Sequence, residues 1–160
     1  MTALSSPMTA PSASPVFPSS APPNVTALRL GYLALLPFVL GAALVWGVRA
    51  DAHVYAAATL SAYAAVVVAF VGGIHWGLAM RHPQPPTTLL TWGIVPALVA
   101  CVAVVMQPYA GLVIHGVMIV ACYLVDRKVY PVQGVGAWLT LRFRLTVVAS
   151  LSCFVGAAGS

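Results

Sequence analysis

The chain has 160 residues, 61% hydrophobic and only 6% charged, where a soluble globular domain carries about 25% charged residues. That balance excludes a soluble fold and specifies an integral membrane protein. The net charge of +5 comes with no basic run and no arginines at base-reading spacing, so nucleic acid is excluded as a partner and the charges matter through their placement.

Residues 1–27 are built from Ser, Pro, Ala and Thr without a charged side chain. Such a stretch buries too little apolar surface to offset its ordering entropy. It also lacks the basic start and continuous apolar core of a signal peptide, so it reads as a disordered tail.

Apolar runs follow at 28–48, 54–80, 88–106, 109–125 and 143–159. About 20 helical residues cross the hydrocarbon of a bilayer, so the expected fold is an all-α, polytopic membrane helical bundle of about five transmembrane helices occupying residues 28–160. Gln107–Pro108 leaves room only for a tight hairpin between antiparallel helices. Five crossings place Arg29, Arg81, Arg127, Lys128, Arg142 and Arg144 on one side and only Arg49 on the other. By the positive-inside rule the N-terminus lies in the cytoplasm, or in the matrix for a mitochondrial protein.

In the second run, steps of four give Ala57, Ser61, Ala65, Ala69, Gly73 and Gly77, all small and ending in a GxxxG pair. Helices in lipid associate by close backbone approach along such rows, so this row is the expected packing seam and the second run the expected central helix. His75 lies two residues from each of Gly73 and Gly77, which turns it ~200° away from them, onto the face of Ala64, Val68 and Val71. An ionisable group inside a span is a functional candidate by default. A hydrogen-bonded structural histidine is the plainer reading and is preferred here, with Asp126 or Tyr123 as possible partners at the same end.

His115 is separated from His75 by ~13 Å in depth, too far for two ligands of one metal. His53 and His82 read as solvated loop residues. Cys101, Cys122 and Cys153 fall inside apolar runs without a CxxC or Cys/His cluster, and read as small buried hydrophobes. No metal or cofactor is expected. Asp126, flanked by Arg127 and Lys128, reads as an exposed local ion pair worth ~0–1 kcal/mol. The segment 126–142, with basic ends and with Tyr130 and Trp138 between them, suits a loop lying along the interface. Topology anchoring is its preferred reading over an anionic-lipid role, which usually takes about 4–8 clustered cations. No HExxH, nucleophile–base spacing, phosphate loop or carboxylate pair supports an enzyme.

The stretches LGYLALLPF, FVGGIHWGLAM and LTLRFRLTVV together resemble a bacterial and mitochondrial membrane family known as domain of unknown function 3429, which includes the animal transmembrane protein 69 group. The resemblance covers about residues 28 to 158, and its most specific part is GGIHWG. It implies a small multi-pass protein of an inner membrane and carries no established activity or cofactor. Positions matching its pattern are Gly72, Gly73, His75, Trp76 and Gly77, with Asp126 and Arg142; YPVQGVGAWLTLR departs from it in being looser and richer in glycine.

Together these readings give a non-enzymatic packing, assembly or scaffold component of a bacterial inner (plasma) membrane, or of the mitochondrial inner membrane in a eukaryote. Its expected partners are the lipid bilayer and either itself or another membrane protein. The candidate functional residues are His75, Trp76, Asp126 and Arg142. The alternative is a small-solute or proton carrier or channel with an inner gate at His75, Trp76 and Asp126.

Overall fold

A computed structural model describes residues 19–160; of the tail expected at 1–27, residues 1–18 lie outside the described residues, while 25–27 form the first turn of a helix. Six helices follow in order: α1 Val25–Leu33, α2 Leu36–Gly47, α3 Ala50–Ala79, α4 Thr87–Val104, α5 Pro108–Val132 and α6 Leu139–Ala158. Counting α1 and α2 as one crossing, five segments among the described residues are long and apolar enough to span a membrane. The bundle wears its apolar residues outward, with Phe70, Leu98 and Val102 exposed. In water such a surface would aggregate, whereas in lipid it is the solvated face.

The first crossing is broken because of Pro37. A proline lacks the N–H that would reach the carbonyl of Leu33, and its ring crowds that carbonyl. The helix stops at Leu33 and restarts at Leu36. The Ala34 carbonyl freed at the break accepts a hydrogen bond from the Tyr63 hydroxyl at 2.8 Å, which satisfies it within the membrane. The start of α1 is capped by Asn24, whose side chain accepts from the Ala27 N–H at 2.8 Å, as N-cap asparagines do.

Central α3 packs against α2, α4, α5 and α6. Its close approach to α4 occurs at Gly72, where an added Cβ would stand 2.7 Å from the Gly93 carbonyl oxygen and 3.2 Å from Pro96. The glycine end of the expected seam is elsewhere. Ala57 and Ser61 are buried, Ala65 and Ala69 half-buried, and Gly73 and Gly77 exposed, with no atom within 4 Å of a Cβ built on either glycine. Within the chain this corrects the expected row. Four residues advance ~400°, so the row drifts ~40° per step and walks off the packed face. The buried stripe alternates steps of four and three instead: Ala57, Ser61, Ala64, Val68, Val71, His75, Leu78.

The helices at the basic end run on past their expected limits. α5 continues from the expected end at 125 to Val132, because Val129, Tyr130 and Val132 still offer an apolar face. It stops in a Schellman arrangement: Gly134 has φ 73°, Gly134 N–H donates to Pro131 O at 3.2 Å and Val135 N–H to Tyr130 O at 2.9 Å. A 3-10 turn at Gly136–Trp138 then leads into α6 at Leu139. The glycine-rich departure is thus the reversal between two helices, and most of the expected 126–142 loop is helical.

Candidate functional site

Three helix stripes converge at the basic end. α3 brings Val71, His75 and Ala79; α5 brings Cys122, Asp126 and Tyr130 at steps of four; α6 brings Arg142 and Thr146. His75, Asp126 and Arg142 lie within ~5–9 Å of the ends of their helices, counted at 1.5 Å per residue.

Asp126 is fully buried, so its charge needs a partner inside the bundle. Arg142 supplies it: Nε donates to Asp126 Oδ2 at 2.8 Å and Nη2 to the same oxygen at 2.7 Å. Both distances are those of strong charge-assisted bonds. The other carboxylate oxygen, Oδ1, faces His75 Nε2 at 3.4 Å. That pair makes no hydrogen bond, and both His75 nitrogens and Asp126 Oδ1 are buried without a hydrogen-bond partner. The Tyr130 ring closes over the histidine, centroid to centroid 6.5 Å. The arrangement is a membrane-embedded ion pair with an imidazole held beside its second oxygen.

The sequence expectations sort as follows against this geometry. His75 and Asp126 do meet, and the face of Ala64, Val68 and Val71 that carries His75 is covered. Tyr123 is not the partner; its ring packs on Phe143 at 5.5 Å. Asp126 is not the exposed local pair with Arg127 and Lys128, because the continuation of α5 turns it inward toward α6. Arg142 is the residue that spacing alone did not bring to Asp126. Starting the fifth helix at 143 left Arg142 in a loop, whereas an arginine one turn inside a span would have demanded a buried acid.

Trp76 stands apart from this centre. Its Nε1 donates to the Leu90 carbonyl at 2.9 Å, and its ring covers Gly93, which has no room for a Cβ there. Trp76 therefore fastens α3 to α4. His115 is fully buried, with neither nitrogen partnered, and lies eleven residues from Asp126 along α5, ~16 Å away by helical rise. His82 is not merely solvated: its Nε2 is 2.9 Å from Gln133 Oε1. His53 meets the Gly159 carbonyl at the opposite end. Among the described residues no three His, Cys, Asp or Glu side chains are gathered to hold a metal ion.

Comparison with known proteins adds the family context. Residues 23–158 match the family described as "Protein of unknown function (DUF3429)". The chain is also similar to Transmembrane protein 69 of Xenopus tropicalis, 37% identical over 134 residues, covering 79% of this chain and 51% of that protein. It thus spans about half the length of that relative. No solved structure matches it. With the family match running from before α1 to the last turn of α6, the chain belongs to the DUF3429 family.

Proposed function

We propose that this protein is a non-enzymatic assembly component of an inner membrane, bacterial or mitochondrial, with its basic end in the cytoplasm or matrix. In this reading it associates with itself or with another membrane protein. One observation carries the proposal: α3 is the central helix, yet Gly73 and Gly77 face outward with open space at both positions. Its own chain has already used Gly72 for helix packing, so the outward glycines remain available to a helix from another molecule. The His75–Asp126–Arg142 centre then serves cohesion, since its only acid is neutralised by Arg142 within the chain.

The test is to purify the tagged full chain from its own membrane in a mild detergent and quantify by mass spectrometry what stays bound. A near-equimolar partner or a defined homo-oligomer, lost on Gly73→Leu, supports the reading. A monomer without a stoichiometric partner overturns it.

A carrier or channel is the second reading, favoured by the unpartnered His75 Nε2 and Asp126 Oδ1 facing each other at 3.4 Å. It requires water to reach this pair. A His75→Cys variant without the native cysteines should then react with a water-soluble thiol reagent; protection of that thiol excludes a water-lined gate.

A further inference from the structure

The break before Pro37 divides the first crossing into two halves that are held very differently. α2 buries Phe38, Ala42 and Val45, which fix it in the bundle. α1 buries no residue. Its side carrying Ala27, Leu30 and Gly31 lines a cavity of about 550 Å³, whose far wall includes Val67 of α3, Ile119 of α5 and Leu145 of α6. The main neighbour of α1 is α6, and the two helices do not interlock: a Cβ built on Gly31 would stand 3.5 Å from Leu145 and 3.6 Å from Leu141, ordinary van der Waals distances. Elements with few buried apolar contacts are the first to open.

The polar contacts around α1 fall into a pivot and two latches. At the break, the Tyr63 hydroxyl donates to the Ala34 carbonyl at 2.8 Å, and the Tyr63 ring meets Phe38 edge-on at 5.1 Å between centroids. Both contacts lie at the break or on its α2 side, so they pin the end of α1 to α3 without holding its length. The latches lie elsewhere. Arg144 Nη1 on α6 donates to the Tyr32 hydroxyl at 3.0 Å. Ahead of the Asn24 cap, the Ser20 N–H donates to the Gly134 carbonyl at 2.6 Å, tying the lead-in of α1 to the reversal after α5.

Turning α1 away from the cavity costs little in a bilayer. Val25 and Leu33 already face outward, and lipid tails solvate the uncovered Ala27, Leu30 and Gly31 as well as protein does. The hydrogen bonds of α1 are internal to it and travel with it, while the helical ladder is already interrupted by the proline, so the bend is confined to the residues of the break. Opening is then opposed mainly by the two latches, each worth about five- to tenfold in the closed-to-open ratio. We propose that α1 is a hinged flap: it turns about the break at Ala34–Leu35, is held shut by the Arg144–Tyr32 and Ser20–Gly134 bonds, and on opening joins the cavity to the surrounding lipid. This device is independent of the outward glycines of α3.

The test is a distance measurement by pulsed electron spin resonance on the full-length chain without its native cysteines, in lipid nanodiscs. Nitroxides are attached at Thr26→Cys in α1 and Lys128→Cys in α5, both exposed positions. The expected result is two distances, one closed and one open, while a control pair at Leu40→Cys in α2 and Lys128→Cys gives one. Pro37→Ala restores the N–H that carries the helix across the break and should merge the two distances into one. Tyr32→Phe removes the acceptor of Arg144 and should raise the open-to-closed ratio about five- to tenfold, the worth of one hydrogen bond. Should Pro37→Ala fail to fold, the Tyr32→Phe measurement decides alone. A single distance from the Thr26 pair that persists in Tyr32→Phe overturns the proposal. So do two distances that Pro37→Ala leaves unchanged, or that the α2 pair shares.

Discussion

The two faces of α3 near its basic end are both made of small residues around one imidazole, and they have opposite fates. One face, with Gly72 and His75, meets α4 at Pro96 and α5 at Asp126; the other, with Gly73 and Gly77, meets nothing within the chain. A shift of one residue turns a helix by ~100°, enough to move a glycine from a backbone contact to lipid. The contrast teaches that a GxxxG pair identifies a surface able to pack, while the partner is chosen by what the other helices present.

The comparison breaks first at the ion pair. Asp126→Ala leaves Arg142 inside the bundle without its counter-charge and should cost about 3–5 kcal/mol, measured as thermal unfolding of the detergent-solubilised protein. Unchanged stability would mean that the pair does not hold α5 to α6. Next comes the glycine contrast, read by the same assay. Gly72→Ala forces a methyl group to within 2.7 Å of the Gly93 oxygen and should cost about 1–3 kcal/mol. Gly73→Ala should stay within about 0.5 kcal/mol, as substitutions without a neighbour do. Equal losses from the two would remove the distinction between the faces.

The two buried histidines sharpen the same point with smaller effects. His75→Leu sets an apolar group beside the unpartnered Asp126 Oδ1 and should cost about 1–2 kcal/mol. His115→Leu removes two unpartnered nitrogens and should be neutral or stabilising by up to about 1 kcal/mol. A larger loss at His115 than at His75 would show that the charged centre is not what makes the basic end cohesive.

Much of the architecture was legible in the sequence because lipid imposes a length rule: each crossing needs about 20 apolar residues, and the five runs satisfy it. The side of His75 was legible too, since its ~200° offset from the glycines follows from helical geometry alone. Helix ends were less so. In the sequence Asp126 and Arg142 look like loop residues because charges usually mark the edge of a span; in the structure each cancels the other inside the bundle. The cavity beside α1 was not legible, because it is bounded by α1, α3, α5 and α6 together, segments far apart in the chain.

The sequence by itself determined that this protein is a helical membrane bundle, which residues lie at its basic end, and that His75 and the glycine pair occupy different faces. These follow from hydrophobic length, charge placement and the fixed rotation per residue. The tertiary structure adds which face is buried, that Asp126 turns to Arg142 rather than to its neighbours, and that a cavity opens beside α1. Those depend on the mutual rotation and tilt of helices, which are set by side-chain contacts between segments far apart in the chain, and local periodicity does not carry that information.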